Sequence, residues 1–587
     1  MRRKKKGKCW AALVAMLLIH GALLGYSAAV HTPTVDEPGH LASGIAIWQS
    51  GRFALYRVNP PLVRMVAALP MWLGGTDWRA DEHWPDCDPR PEFAAGMSFV
   101  RSRTFGQVLW SMTLARWACI PLLLWGGYIC YRFARELYGP GAGLTALALW
   151  CFCPNILGHG SLITPDAGAA AMGVTACWLY WRWLRHPALL EALLAGLGLA
   201  LAELTKFTWI ILFGLWPLIW LVKRLCEPHW PVKQKLQTEA LQLALILCTG
   251  VFGINAGYAF EGTGQRLGDF AFVSRALAGS NTVPGEPLPA DNRFRGTWLG
   301  ALPVPLPANY VWGIDVQKRD FERGAPSYLR GQWQRGGWWY YYLYGLVVKV
   351  PLGMWALGIL AVFAGLRWKR CRRSFTDELA VLAPAATVLI LVSSQTGFSH
   401  HLRYVLPAFP LAYVAVSRVA AATAAAQRRL CAVGLAGAVA SSLFTYPHSL
   451  SYFNELVGGP RAGHWHLLDS NIDWGQDLLY LKQWALRHPE ARPLRVAAFF
   501  GAISPMAAGL SEHNPFGAGL AAGSSTPVQG GETVQAGFYA VSVQHLHGGV
   551  GQLSSAKLSQ MLLHRKPVGS AGYSIYIYHV PGGNSGR

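Results

Sequence analysis

The chain reads as a polytopic α-helical membrane protein of about eleven transmembrane helices with a small C-terminal α/β domain outside the membrane. Three observations carry that reading. Hydrophobic residues fill 52% of the 587 positions and charged residues only 14%, against roughly a quarter in soluble proteins. The apolar residues are gathered into runs long enough to span a bilayer. Lys and Arg cluster at the ends of those runs, in short loops, as topology signals do. The formal net charge of +21 is therefore read as orientation, and nucleic acid is set aside as a partner.

The first element is the basic start MRRKKKGK and an apolar run of about 20 residues, long enough to span. It reads as an uncleaved helix with its basic end in the cytoplasm, although Ser27-Ala28-Ala29 has weak cleavage-site character. A polar segment follows, about 31–107. Within it Leu41, Ile45 and Trp48 share a helical face, as do Leu62, Met65 or Val66, and Leu69. Bounded by Pro38, Pro60-Pro61 and Pro70, these pieces suit two short helices lying in the interface. GGTDWRADEHWPDCDPRPE reads as acidic loop.

The second span covers about 108–130 and ends in the basic inner loop YRFARELYG. The third runs from about Gly141 through CFCPNILGHGSLITP, and the fourth follows Asp166 and ends in YWRWLRHP. The fifth stops near ELTK, Glu203 to Lys206, and the sixth begins at Phe207 and ends in KRLCEPHWPVKQK; ELTKFTW also fits one broken helix. The seventh covers about 238–258, and a loop rich in Pro, Gly and Trp fills 259–338. The eighth, about 340–365, ends in RWKRCRRS; the ninth ends near SSQTGFSHHLRY; the tenth ends before QRR; the eleventh ends near Tyr446. Alternation from a cytoplasmic N-terminus puts every basic cluster inside. TVDEPGH (Thr34 to His40), Asp166, Lys206, HHLRY, both long loops and the C-terminus then lie outside. The chain divides into a membrane domain, 1–446, and an extracytoplasmic domain, 447–587. In the latter, a helix is expected over about 475–488, strands at LRVAAFF, GFYAVSV and YSIYIYHV, and a flexible Gly/Ser-rich loop at 507–536. Of 11 cysteines only Cys87 is clearly in an outer loop, so no disulfide framework is expected.

The chemistry-bearing residues gather at the outer face. Asp36 and Glu37 fit a helix start, with Thr34 and Glu37 spaced as a capping box and Pro38 at the first helical position. Read alone, that is the favoured reading of the two; the other is a general base, since a carboxylate can take a proton from a hydroxyl nucleophile. Asp166 is an N-cap or a site residue. Lys206 pairs with Glu203 one turn away or contacts a phosphate. Arg403 and Tyr404, with His400 and His401, are interfacial anchors or bind an anionic headgroup. His31, His40, His159, His400 and His401 are the histidines from which a divalent metal site would be drawn, and nothing in their spacing shows one.

TVDEPGH, NPPL, the LITPDA turn, ELTK and RYVLPAFP, in this order of spans, resemble the membrane glycosyltransferases of the GT-C fold. The resemblance is nearest to glycosyltransferase family 39, the protein O-mannosyltransferase and lipid A aminoarabinose transferase group, over about 1–490. YLRGQWQRGGWWYYYLYGLVVKVPLG and SYFNELVGGP…DSNIDWGQDL are similar to its bacterial branch. The resemblance implies inverting transfer of a sugar from a polyprenyl-phosphate donor to a hydroxyl acceptor, whether lipid, glycan or protein, at the outer face of the cell membrane. Asp36 would be the base. Glu37 would orient the acceptor or a cation. Lys206 and Arg403 would hold the phosphate with Tyr404 adding a hydrogen bond, Asp166 would position the donor sugar or a basic partner, and His40 would join the substrate-binding set. The 259–338 loop is too short for a β-trefoil insert, and GGWWYYY lacks the Asp of WWDYG, which argues against Asn-linked transfer. Two rival classes stay open, a secondary transporter and a non-catalytic membrane protein whose outer domain binds a partner.

Overall fold

A computed structural model describes residues 2–79, 90–227, 233–279, 291–367, 373–422, 424–497, 502–510, 535–548 and 556–581. Cys87, Cys371, most of the acidic loop, part of the RWKRCRRS cluster and the bulk of the Gly/Ser-rich stretch lie outside them. The nine described cysteines are all free.

Helix α1 (Arg2–Val30) carries the first apolar run, and a short extended segment leads to α2 (Glu37–Ser50). Then come α3 (Leu62–Leu73), α4 (Glu92–Arg101) and α5 (Phe105–Tyr138). Both expected interfacial helices are present, with two differences. Pro70 lies inside α3 instead of bounding it. Helix α2 is buried from Glu37 to Ile47 between α3 and α4, so it has no wet face. Helix α4 was not foreseen; its apolar residues Ala95, Phe99 and Val100 pack into the cluster that contains Leu41 and Ile45 of α2. Thr104 and Gln107 start α5 with a full capping box, and the helix continues to Tyr138 through the basic segment expected to be an inner loop.

The membrane body continues with α6 (Pro140–Cys151), α7 (Pro154–Gly160), α8 (Pro165–Arg185), α9 (Leu189–Glu203), α10 (Ile211–Leu225) and α11 (Lys233–Gly257). The long loop holds the single turn α12 (Arg275–Ala278), α13 (Ala308–Arg323) and a hairpin, β1 (Pro326–Leu329) with β2 (Gln332–Arg335). It is followed by α14 (Tyr341–Lys349), α15 (Leu352–Arg367), α16 (Phe375–Ser394), α17 (Phe409–Val416) and α18 (Ala425–Thr445).

Among the described residues six helical stretches are long and apolar enough to cross a bilayer, and eight if the bent pairs α6–α7 (55°) and α14–α15 (110°) each count as one. The expected spans at α8, α9 and α18 are helices but fall outside that set. The reason is visible at α8, which is buried along nearly its whole length. A helix shielded from lipid by its neighbours can be built of Ala, Gly and Thr, so close packing replaces hydropathy. Gly173 shows the fit, since a Cβ there would lie 1.7 Å from the Trp209 ring.

The C-terminal segment forms α19 (Leu478–Arg487), β3 (Leu494–Ala497), β4 (Gly537–Ser542), the turn α20 (Val543–Leu546), α21 (Ala556–Leu563), β5 (Gly569–Ala571) and β6 (Ile575–Val580). The sheet order is β3-β4-β6-β5, with β3 and β4 parallel and the other pairs antiparallel. The inward residues Leu481, Val496, Ala540 and Ile577 share one apolar cluster with Leu41, Val63 and Met112 of the membrane body. Backbone bonds add to this. Thr32 N–H donates to Gln476 O (3.0 Å) and Val35 N–H to Trp474 O (3.3 Å), lacing the TVDEPGH approach to the DWGQ turn.

One buried ion pair shapes that approach. Arg116 of α5 donates Nε to Glu37 Oε1 (2.8 Å) and Nη2 to Oε2 (2.6 Å), and its other N–H groups reach the carbonyls of Ala28, His31 and Thr32. Both side chains are fully buried. Removing one partner of such a pair leaves a bare charge in the interior, at a cost of about 3–5 kcal/mol. Glu37→Gln is therefore expected to lower thermal stability by an amount of that order, read as the unfolding transition of detergent-purified protein. A variant as stable as wild type would show that the pair does not hold the turn.

Candidate active site

Asp36 and Glu37 are adjacent in sequence and opposite in environment. Asp36 occupies the N-cap of α2 but its side chain makes no capping bond. Its carboxylate accepts from Arg403 Nη2 at 3.0 Å and is 19% exposed. Glu37 points away, and its carboxylate accepts from Arg116, from Thr34 N–H (2.8 Å), from Thr34 Oγ1 (3.1 Å) and from Ile163 N–H (3.2 Å). The Thr34–Glu37 contact is half of the expected capping box, since the Thr34 hydroxyl donates to the carboxylate instead of capping a backbone N–H. With every lone pair taken, Glu37 has none to offer an acceptor or a cation, so the role expected for it is corrected to a structural one.

Helix α8 starts with Thr164 at the N-cap, Pro165 next and Asp166 in the first turn, where a carboxylate meets the positive end of the helix dipole. Asp166 does not cap. Lys206 Nζ is 2.5 Å from its Oδ1 and Arg403 Nη1 is 3.3 Å from its Oδ2. The alternative pairing of Lys206 with Glu203 does not occur, because α9 ends at Glu203 and Lys206 is in extended backbone. Glu203 instead accepts from the Tyr310 hydroxyl at 2.9 Å. Burial lowers the Lys206 pKa from its ordinary value, and the Asp166 carboxylate opposes that.

Asp36, Arg403, Asp166 and Lys206 thus form a row of alternating charge drawn from four separate segments. Arg403 is its centre. The guanidinium lies 4.0 Å from the Trp474 ring centroid, supplied by the C-terminal segment, and its Nε is buried with no hydrogen-bond partner among the described residues. Tyr404 lies beneath the Lys206 amine, 4.8 Å from ring centroid to Nζ.

The row lines a cavity of about 440 Å³ whose wall also includes Tyr56, Asn59, His400 and His401. Its other charged residues are Arg90, Arg319, Asp320 and Arg323. Five cationic side chains against three carboxylates make this wall suited to an anion. Arg90 bonds Glu92 and Asp320, and Arg319 bonds Asp320, whereas Arg323 makes no ion pair among the described residues. The sequence reading did not single out these arginines. The cluster QKRDFER at the end of α13 was the visible signal for Arg319 and Arg323; Arg90 had none.

His40 is not in the wall. It packs on Tyr56, with Nε2 3.3 Å from the phenol oxygen, so it backs a wall residue and does not reach the cavity. His401 Nδ1 is 2.6 Å from Ser470 Oγ and 3.2 Å from Asp469 Oδ1. Burial and then the Arg403 charge lower its pKa. The five histidines considered for a metal do not converge. His31 is grouped instead with His448 and Asp477, the one set at ligand spacing among the described residues.

Residues 100–252, which contain Arg116, Asp166 and Lys206, match the family model described as dolichyl-phosphate-mannose-protein mannosyltransferase. The resemblance to GT-C glycosyltransferases thus stands on this match as well as on the motifs. A search among curated proteins gives no match. Among solved structures, the chain is similar to ArnT from Cupriavidus metallidurans in the apo state, with 15% identity, TM-score 0.41, and coverage of 72% of this chain and 62% of that one. The same enzyme bound to undecaprenyl phosphate aligns at 13% identity and TM-score 0.41, over 81% of this chain and 72% of that one. The apo Archaeoglobus fulgidus oligosaccharyltransferase aligns at 13% and 0.38, over 70% of this chain and half (50%) of that one. Likenesses this distant carry no chemistry across.

The geometry makes Asp166 the counter-ion of two buried cations. Asp166→Asn is expected to cost about 3–5 kcal/mol of stability, because Lys206 and Arg403 lose their shared partner. The double variant Asp166→Asn, Lys206→Met is expected to regain part of that loss. Thermal unfolding of the single and double variants checks this, and strictly additive losses would rule out the pairing.

Proposed function

We propose that the cavity is the active site of an inverting glycosyltransferase. It moves a sugar from a polyprenyl-phosphate donor to a hydroxyl acceptor at the outer face of the cell membrane. The observation that carries this reading is a carboxylate, Asp36, held at the rim of a cationic cavity by the same arginine that grips Asp166. The family description for residues 100–252 names a dolichyl-phosphate sugar, which supports a polyprenyl-phosphate donor here.

In the proposed reaction the acceptor oxygen attacks the anomeric carbon from the side opposite the phosphate. The new carbon–oxygen bond forms as the bond to the phosphate oxygen breaks. The bonding pair leaves on the phosphate, and the acceptor proton passes to Asp36. Lys206, Arg403 and Arg323 are the groups placed to stabilise charge developing on the phosphate. Arg403 has a second task in this scheme. An arriving phosphate competes for its guanidinium, and whatever hold it loosens on Asp36 leaves that carboxylate free to take a proton. Tyr404 steers the Lys206 amine by its ring.

Asp36→Asn is expected to reduce transfer about 10²–10⁴-fold while leaving donor binding intact. Reconstituted protein with a radiolabelled polyprenyl-phosphate sugar gives the test, and undiminished transfer by that variant sinks the base assignment. Arg403→Lys keeps the charge but cannot bridge two carboxylates, so the apparent KM for the donor is expected to rise about tenfold or more, the equivalent of one charge-assisted hydrogen bond. A change confined to kcat at saturating donor would remove Arg403 from the phosphate site. Solute counterflow in proteoliposomes without consumption of lipid-linked sugar would favour a transporter.

A further inference from the structure

Three side chains that the proposed reaction does not use meet where α1 ends. His31, His448 and Asp477 each present one ligand atom, and these atoms lie within 4.8 Å of one another. His448 Nδ1 is 3.3 Å from Asp477 Oδ1, and His31 Nε2 is 3.8 Å from the same oxygen. The three come from the end of α1, the loop after α18 and the residue before α19, so only the folded chain assembles them.

Two of them are oriented from behind. His31 Nδ1 is 2.9 Å from the Ser27 carbonyl oxygen. A carbonyl only accepts, so Nδ1 carries the proton and a neutral ring turns the bare lone pair of Nε2 toward Asp477. Asp477 is fully buried, and its Oδ2 accepts from Ser574 Oγ (2.8 Å) and Gln476 Nε2 (3.4 Å). Its Oδ1 faces both imidazoles: it accepts from His448 Nδ1 (3.3 Å) when that nitrogen carries the proton, a proton that a bound cation would replace, and it has no such donor on the His31 side. A bare nitrogen and a carboxylate oxygen across 3.8 Å repel unless a cation sits between them.

We propose that His31, His448 and Asp477 bind a divalent transition-metal ion of the zinc type, which ties the end of α1 to the C-terminal segment. Two imidazole nitrogens and one carboxylate oxygen suit zinc, whereas magnesium and calcium take oxygen ligands. Tetrahedral bonds of about 2.1 Å set ligand atoms about 3.4 Å apart, close to the two distances to Asp477. The imidazole N–H on a carbonyl and the hydrogen-bonded far carboxylate oxygen are the supports that metal ligands need. His448, 16% exposed, gives the ion a way in and leaves a fourth position for water. Because Asp36 lies five residues beyond His31, on a segment already laced to Gln476 and Trp474, the ion's role is to hold the approach to the active-site carboxylate. This inference stands whether or not the cavity transfers sugars.

The test uses full-length protein in detergent, free of any polyhistidine tag and stripped with EDTA. On titration with zinc chloride alone, one equivalent is expected to remain after dialysis and to raise Tm, while magnesium chloride does neither. Cobalt(II) in its place is expected to give the visible absorption of a four-coordinate nitrogen–oxygen site. His448→Ala, at the most exposed ligand, is expected to abolish retention and the Tm shift, and His464→Ala, outside the cluster, to keep both. Failure of wild-type protein to retain zinc, or equal retention by His448→Ala, overturns the proposal. If His448→Ala does not fold, the wild-type cobalt spectrum decides: the four-coordinate bands support the site and a six-coordinate aqua spectrum overturns it.

Discussion

The arrangement of the cavity rests on one guanidinium. Arg116 has five N–H groups, and all five find acceptors: two on Glu37 and one each on the carbonyls of Ala28, His31 and Thr32. A buried charge is tolerable only when its hydrogen bonds are complete. Here the completeness forces the chain to turn, since the carbonyls of Ala28, His31 and Thr32 must all face α5. Glu37 passes the constraint on through Ile163 N–H, which fixes the approach to α8 and hence Asp166. Asp36 and Asp166, 130 residues apart in the chain, are therefore positioned by the same ion pair.

A second charged network lies beside the first and differs in kind. In the row Asp36, Arg403, Asp166 and Lys206, no member is saturated to the same degree. Arg403 Nε has no partner among the described residues, Asp36 is partly exposed, and Tyr404 and Trp474 face the cations with π-systems, not oxygens. A saturated network resists exchange because any new partner must displace an existing bond. An incompletely satisfied one can take an anion and reorder. The protein thus separates a structural pair from an adaptable one by the count of hydrogen bonds, although both are made of Asp or Glu with Arg or Lys.

That difference explains what could be read from the amino acids and what could not. Hydropathy and the placement of basic residues disclosed the helical membrane body, and alternation of spans placed Asp36, Asp166, Lys206 and Arg403 on one side. Asp36 was favoured over Glu37 by its place in the motif; residue type does not separate adjacent carboxylates, whose directions differ by a rotation set by Arg116. Arg116 itself was visible as a lone charge inside an apolar run, where an ionisable residue needs a partner. The alternative pairing of Lys206 with Glu203 fails for a simpler reason. Spacing of three positions implies contact only within a continuous helix, and the chain leaves the helix at Glu203. The cavity arginines Arg90, Arg319 and Arg323 belong to a loop and a short helix whose only connection to the motifs is spatial.

The C-terminal segment belongs in the same argument. Read as a polar appendage, DSNIDWGQD has no evident reason to be rich in buried acids and amides. In the fold it is the opposite wall of the TVDEPGH turn: Asn471 donates to the His400 carbonyl, Asp469 and Ser470 meet His401, and Trp474 supports Arg403. Asp473 is buried against Ser542 of the sheet, and burial raises its pKa to about 7. The segment is therefore fastened on one side to the sheet and on the other to the residues that flank Arg403. Movement of the sheet relative to the membrane helices would be felt first at Trp474 and Arg403, and through Arg403 at Asp36. Any ligand that engaged the C-terminal segment would act on Arg403 and Asp36 by this route, without touching the cavity.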